Sequence, residues 1–124
     1  METFVLKVDS DVVKTEGDNR FSRDDDVLAA GSGAVICGTV LGRVTATGKF
    51  KPLAPAANDG TQTAAAVILQ NAKADAADVT VVNLKRHAQV VLQALIWPAG
   101  ITAPQQAGAI ASLEALGIVA RNGV

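Results

Sequence analysis

Hydrophobic and polar positions alternate between residues 79 and 92, and this is the clearest pattern in the chain. Such alternation predicts a strand with one face on a core and the other in water. The segment is therefore predicted to be one long strand, or two strands joined at Arg86 and His87. The apolar face contains Val82, Leu84, Ala88, Val90 and Leu92.

Shorter β-prone segments lie upstream. After a Gly-Ser-Gly turn at residues 31–33, residues 34–37 are a predicted strand, and residues 38–44, which begin with a glycine, are a second. Gly42 stands inside the second strand, where a glycine indicates a bulge or a close approach of another backbone.

A hairpin and a buried strand complete this β-region. Residues 45–48 form a predicted turn, after which residues 49–51 return as an alternating strand. An Asn-Asp-Gly-Thr turn at residues 58–61 breaks the chain again. Residues 64–69 are apolar throughout, which predicts a fully buried strand.

A helix is predicted near the end of the sequence, and both of its ends carry recognisable signals. Thr102 suits the N-cap, and Gln105 three residues later completes a capping box. Gly117 suits the position after the last turn, where Ile118 would contact Leu113 in a Schellman stop.

The predicted helix has two apolar faces of different character. One face is expected to pack on the core; it carries Ala109, Ile110, Leu113 and Leu116. The other consists of small residues, for which solvent exposure and close approach by another chain are weighed equally. This second face contains Ala107, Gly108, Ala111 and Ala115.

Residues 1–26 are predicted to form an N-terminal arm, and residues 27–124 the β-domain. The arm is polar and of mixed charge, so it contributes little to a core. Three adjacent acidic residues at 24–26 lack the alternating ligand spacing of a calcium loop, and we interpret them as a solvated charge run. The strand-competent stretch of the arm is Thr3, Phe4, Val5, Leu6, Lys7 and Val8.

Composition favours self-association. Apolar residues make up 49 % of the chain but aromatic residues only 3 %, so small side chains that bury little area carry most of the hydrophobicity. The 11 basic and 12 acidic residues give a net charge of -1, which argues against nucleic acid as a partner.

We expect no membrane segment and no secretion signal, and therefore synthesis in a reducing cytoplasm.

The sequence contains no recognisable catalytic, cofactor or metal motif, so we predict that the protein is not an enzyme. Its one cysteine, Cys37, is interpreted as a buried small hydrophobic residue, and His87 as a solvated residue on the polar face of its strand. Trp97 and Pro98 end an apolar run and are interpreted as an anchor between sheet and helix, or as part of an interface.

Two long runs resemble the head decoration proteins of tailed bacteriophages, the lambda type. They are GTVLGRVTATGKFKPLAPAANDGTQTAAAVIL and LIWPAGITAPQQAGAIASLEALGIVAR, and the likeness extends over residues 27–121. The resemblance implies an α+β fold, predominantly β. This is expected to be a small compact β-tulip-like domain with a capped C-terminal helix and an extended N-terminal arm.

The resemblance also implies a function. Such a protein binds the major capsid protein as a homotrimer at three-fold sites of an expanded head, on the outer surface of the virion, and stabilises the shell against internal DNA pressure without a cofactor. We expect residues 3–8 to form the capsid-binding arm by strand addition. A trimer interface is expected at Trp97, Pro98, Ala107 and Ala111.

Two other function classes are kept beside this one. A small β-barrel binding module of the biotinyl-like or sugar-binding kind is suggested by the glycine-punctuated strands, with Lys49 after a turn glycine as the carrier residue. A hydrolase or transferase is disfavoured because clustered reactive groups are missing.

Overall fold

The computed structural model describes residues 11–17 and 22–122, in which ten strands and one α-helix follow one another. The strands are β1 Val13–Glu16, β2 Arg23–Leu28, β3 Gly33–Val35, β4 Val40–Arg43, β5 Phe50–Pro52, β6 Ala64–Ile68, β7 Ala72–Ala74, β8 Val79–Leu84, β9 Ala88–Val91 and β10 Ile118–Arg121. The helix α1 is Ala103–Ala115, and Leu92–Ala94 forms a single 3₁₀ turn. The α+β, predominantly β prediction is confirmed.

Five strands close into a small barrel in the order β2-β5-β4-β6-β8. The β2 strand pairs antiparallel with β8 and meets β5 in parallel, which closes the ring. All five strands contribute buried side chains to one cluster, so the barrel interior is packed with side chains. This cluster contains Leu28, Leu41, Phe50, Ala66, Ile68 and Val81.

A second layer covers the outer face of β4, β6 and β8. It consists of α1 and a three-stranded sheet in the order β1-β9-β10. Val40, Val67 and Leu84 of the barrel strands share a buried cluster with Leu113 and Ile118. β6 is covered on both faces, and the predicted buried strand is confirmed at four of its five residues, with Ala65 half-buried.

The smallest sheet is the ribbon of β3 and β7, which follows the barrel edge. Just after β3, the Cys37 backbone N–H donates to Asn71 Oδ1 over 2.8 Å. The Cys37 side chain is buried, as its apolar surroundings predict.

The alternating segment forms two strands, which confirms the second of the two predicted arrangements. β8 belongs to the barrel and β9 to the outer sheet, so the chain changes sheets between residues 84 and 88. His87 lies at this junction with a φ of +48°, a left-handed conformation that histidine adopts more readily than bulkier residues.

The predicted hairpin is also confirmed. β4 and β5 pair antiparallel, with Arg43 opposite Phe50, and Gly48 in the connecting turn has a φ of +74°. Gly42, inside β4, shows both a strand irregularity and a close approach of another backbone, the two features that a glycine within a strand predicts. The register of β4 on β6 shifts between Leu41 and Gly42, and the backbone of Thr61 lies directly against Gly42.

The predicted arm boundary at residue 26 is wrong for the described part of that segment. β1 pairs with β9 and β2 is a full barrel strand, so residues 11–17 and 22–26 belong to the folded domain. The acidic run, which was interpreted as a solvated charge run, lies in β2, where Asp25 is exposed but Asp24 and Asp26 form ion pairs with Lys85 and Arg86. These pairs come from distant parts of the sequence, and they offset the low strand propensity of aspartate.

The helix begins as predicted. The Thr102 hydroxyl accepts from the Gln105 backbone N–H over 3.2 Å, and the Gln105 side chain accepts from the Thr102 N–H over 3.0 Å. At the other end Gly117, with a φ of +85°, donates its N–H to the Glu114 carbonyl.

Two features of the C-terminal region differ from the prediction. The chain continues after α1 into β10, which lies parallel to β9, so the helix is not the last element. On the helix itself, Ala109 and Leu113 are buried, but Leu116 is 40 % exposed although it was assigned to the core face. Within the described residues, no helix has the length and apolar character needed to cross a membrane.

Candidate interaction surfaces

An apolar groove of about 210 Å³ lies beside the Trp97–Pro98 dipeptide. None of the residues that line it is charged; besides Trp97 and Pro98 they are Ala34, Val35, Ile36, Thr39, Val40, Pro52, Leu53 and Ile96. Ile36 is 50 % exposed at this groove, a large exposure for such a side chain. Contiguous exposed apolar surface of this kind is typical of sites where another protein binds.

The groove is held by backbone pairing between two segments that are far apart in sequence. The Ile96 N–H donates to the Gly38 carbonyl over 2.9 Å, and the Val40 N–H donates to the Ile96 carbonyl over 3.1 Å. Trp97 follows directly and packs on the buried cluster beneath the outer sheet while its side chain stays half-buried. Trp97 therefore stabilises the fold through its buried part and contributes its exposed part to the wall of the groove.

The four residues predicted for the trimer interface do not lie in one groove. Trp97 and Pro98 line the apolar groove. Ala107 and Ala111 are exposed on α1, about 160° and 200° around the helix from the buried Ala109. The structure thus separates the prediction into two surfaces, the Trp97 groove and the outer face of the helix.

A second groove, of about 540 Å³, lies between the barrel rim and the C-terminal half of α1. We call it the basic groove, because all three of its charged lining residues, Arg43, Lys85 and Arg86, are cationic. Its opposite wall is apolar and includes Ala115 and the exposed Leu116. Ala115 belongs to the small-residue helix face for which approach by another chain was one of the two interpretations, whereas the basic wall was not predicted as a functional surface.

Ion pairs hold two cations of the basic groove in place. Arg86 Nη2 lies 2.5 Å from Asp24 Oδ2, and Lys85 Nζ lies 3.4 Å from Asp26 Oδ1. The hydrogen bond from Arg86 lowers the pKa of Asp24, and the same bond raises the pKa of Arg86. Arg43, at the other end of the groove, forms none of the ion pairs found in the described residues.

The rim of the barrel contains a buried amide. Asn83 donates through Nδ2 to Asp26 Oδ2 over 3.1 Å, while its buried Oδ1 has no hydrogen-bond partner within the described part of the protein. Lys85 Nζ lies 5.2 Å from the centre of the Phe50 ring, a cation–π distance. The Asn83 bond attaches β8 to β2, and the Lys85–Phe50 contact lies where the barrel meets the basic groove.

Lys49 and His87, the two remaining residues considered for a chemical role, have local structural contacts. Lys49 Nζ pairs with Asp78 Oδ2 over 2.6 Å, and the barrel interior is filled by side chains, so neither feature supports a carrier or a sugar-binding barrel. His87 is exposed, and its carbonyl accepts from the buried Ser22 hydroxyl over 2.9 Å. Among residues 11–17 and 22–122 no cluster of acidic, His or Cys side chains is arranged to hold a metal ion.

The predicted capsid-binding segment, residues 3–8, lies outside the described residues. The described chain starts just after it, where Val12 is buried and its carbonyl accepts from the Val91 N–H over 2.7 Å. β1 then runs along one edge of the outer sheet. Residues 9–12 lie between the predicted segment and the edge strand β1 in the sequence.

Sequence reasoning missed the exposure of Ile36 and the basic groove. Ile36 stands in an apolar run, which is as consistent with a buried strand as with an exposed patch. Lys85 and Arg86 are adjacent in the sequence, but Arg43 reaches the groove only through the barrel. No local signal marks such a site.

Comparison with known proteins identifies the family. Residues 6–118 match the family described as bacteriophage lambda head decoration protein D, which is more than half of the chain. No curated protein gave a significant match. The family is one of structural proteins, so the protein has a capsid decoration role, associates with the phage capsid and is located in the virion. The chain belongs to the bacteriophage lambda head decoration protein D family.

Proposed function

We propose that the protein binds the major capsid protein as a homotrimer at the three-fold sites of an expanded phage head and cements the shell against internal DNA pressure. It is made in the host cytoplasm and acts on the outer surface of the head. The observation that carries this proposal is the family match over residues 6–118. Trimers suit three-fold sites because each subunit then meets an equivalent part of the shell.

The apolar groove supports self-association. Its lining is uncharged, and Ile36 and Trp97 expose aliphatic and aromatic surface side by side. Interface cores are depleted of charge and enriched in aromatic residues. We assign the Trp97 groove to the trimer contact, with the outer face of α1, including Ala107 and Ala111, as the second surface to be tested.

Attachment to the shell is assigned to Thr3, Phe4, Val5, Leu6, Lys7 and Val8. Strand addition supplies main-chain hydrogen bonds for affinity, and alternating side chains supply specificity. The segment is β-prone and precedes β1 by four residues in the sequence, and β1 is an edge strand of the outer sheet. In this proposal the segment adds as a strand to a sheet of the major capsid protein.

The test mixes purified protein with expanded, undecorated heads. We expect density at the three-fold sites by cryo-electron microscopy and a higher temperature of head disruption. Density elsewhere on the shell, or heads that disrupt at an unchanged temperature, would contradict the proposal. A solution measurement of mass by light scattering is expected to show a trimer at high protein concentration.

Deletion of residues 1–10 tests the attachment segment separately. This deletion stops before the buried Val12, so the domain core is retained. We expect the truncated protein to keep its thermal stability and its oligomeric state but to bind heads more weakly. A matched control variant carries residues 3–8 in reversed order, which keeps the composition. Unchanged binding of the deletion variant to heads would refute strand addition by this segment.

A further inference from the structure

The basic groove lies beside the short ladder between two barrel strands. β6 pairs with β8 through Val67 and Ile68, near the end of β6. The earlier residues Ala64 and Ala65 line the groove, together with residues of the C-terminal half of α1. The groove is thus bordered by a strand and a helix, and its volume of about 540 Å³ lies within the range of ligand sites, about 300–1,000 Å³.

Arg43 is the cation of the groove that forms none of the ion pairs within residues 11–17 and 22–122. It is exposed, and its Nη2 lies against the hairpin turn, where a Cβ on Gly48 would be 3.2 Å away. A guanidinium presents its N–H donors in a planar fork that matches a carboxylate. Arg43 can therefore bind an anionic group from outside the chain.

The charge of the groove suits one anionic group better than a row of them. Arg86 forms an ion pair with Asp24. Lys85 forms one with Asp26, so two of the three cations are already neutralised. These carboxylates lie next to cations of the groove and would repel a run of phosphates, as in a nucleic acid. The positive charge that remains is that of Arg43.

The helix side of the groove supplies apolar contact and a hydrogen-bond acceptor. Leu116 and Ala115 are both exposed there. The Ser112 hydroxyl donates to the Gly108 carbonyl over 3.1 Å, and its oxygen can still accept from an N–H. A polypeptide offers both aliphatic side chains and backbone N–H groups to such a wall, whereas a fatty acid offers no N–H group.

We propose that the basic groove binds an extended acidic segment of a partner protein, with a carboxylate on Arg43 and an aliphatic side chain against Leu116. Grooves that bind peptides or ligands combine apolar surface with a few polar groups that fix orientation. The basic groove shares no lining residue with the Trp97 groove, so this contact is separate from the trimer contact proposed above.

The experiment titrates the isotope-labelled full-length chain with a capped peptide and follows amide chemical shifts by NMR. The probe is acetyl-Ser-Leu-Glu-Leu-Ser-amide, whose single charge is the glutamate carboxylate. We expect saturable shift changes at groove amides such as those of Ala65, Arg86 and Ala115, and weaker binding in added salt. Shift changes centred on the Trp97 groove, or no saturable change, would overturn the proposal.

Control probes test the chemistry of the occupant. Replacing the glutamate of the peptide by glutamine should weaken binding about two- to five-fold, as for a partly exposed ion pair. Replacing both leucines by serine should weaken it as well, because apolar contact is lost. Inorganic phosphate, octanoate or oligothymidylate binding in the groove as tightly as the peptide would overturn the assignment to a polypeptide. Groove shifts on raising the protein concentration alone would instead indicate a second copy and would also overturn it.

Arg43→Met and Leu116→Ser test the two sides of the groove. Arg121→Met is the matched control, because Arg121 is an exposed arginine of β10 outside the groove lining. We expect the dissociation constant of the peptide to rise about two- to five-fold for Arg43→Met and to stay unchanged for Arg121→Met. Leu116→Ser should also raise it. Urea unfolding checks that each variant is folded. Equal peptide binding by Arg43→Met and the wild type would overturn the proposal.

Discussion

The Cα of Gly42 lies so close to the backbone of Thr61 that a Cβ at position 42 would be 2.5 Å from both the Thr61 Cα and its carbonyl oxygen. Neither contact can be relieved by a side-chain rotation, because both atoms belong to the backbone. This approach coincides with the register shift between β4 and β6. The glycine is thus required by packing and not by its backbone angles.

Gly42→Ala is therefore expected to lower the free energy of unfolding by about 1–3 kcal/mol, the usual cost of overpacking a buried site. Urea unfolding followed by circular dichroism measures the change. Gly108→Ala is the matched control, since position 108 is helical and a Cβ there meets no atom within 4 Å. It is expected to stabilise by about 0.5–1 kcal/mol. A Gly42→Ala protein as stable as the wild type would refute the close approach.

The capping box at the start of α1 predicts a second stability effect. Thr102→Ala removes the acceptor for the Gln105 N–H and is expected to cost about 1 kcal/mol. Thr102→Ser keeps the hydroxyl and is expected to retain most of that stability. Hydrogen exchange should show faster exchange at the Gln105 amide in the alanine variant alone. Equal exchange in both variants would contradict a capping role.

The capped helix, the hairpin and the split alternating segment could be predicted because each depends on a local signal. The capping residues lie three positions apart, and the hairpin is set by its own turn. The strands β2 and β10 were not predicted, because their partners are distant. β2 is stabilised by pairing with β8, whose basic neighbours neutralise its aspartates. β10 pairs in parallel with β9, which lies about thirty residues earlier in the sequence, beyond the helix.

The candidate surfaces could likewise be predicted only where neighbouring residues define them. Trp97 and Pro98 could be named from the sequence because an aromatic beside a rigid proline is distinctive. Their groove also needs Ile36, which the strand pairing brings there from another part of the chain. The basic groove depends entirely on barrel closure, which no sequence pattern here specifies.

The Asp24–Arg86 pair predicts a dependence of stability on pH. The hydrogen bond from Arg86 lowers the pKa of Asp24 below its unfolded value of about 3.9. The stabilisation is thus fully present above that pH and is lost as the pH falls through the lower native pKa. Because both side chains are partly exposed, we expect the pair to contribute about 0.2–1 kcal/mol.

A double-mutant cycle with Asp24→Asn and Arg86→Met measures this pair. The coupling energy from urea unfolding should be positive at neutral pH and should vanish once Asp24 is protonated. Added salt should reduce it as well, since exposed charges are screened. A coupling that is the same in acid and at neutral pH would show that the pair acts through packing instead.

Ile36 and Leu116 allow the two candidate surfaces to be compared directly. They are 50 % and 40 % exposed, so replacing either by serine should change the stability of the protomer by about 0.5 kcal/mol or less. Ile36 lines the Trp97 groove and Leu116 lines the basic groove. If the trimer forms through the Trp97 groove, Ile36→Ser should weaken self-association, because a buried apolar contact is lost. Sedimentation equilibrium over a range of concentrations gives the association constants, with Leu116→Ser expected to match the wild type. Weakening by Leu116→Ser alone would place the contact at the basic groove instead.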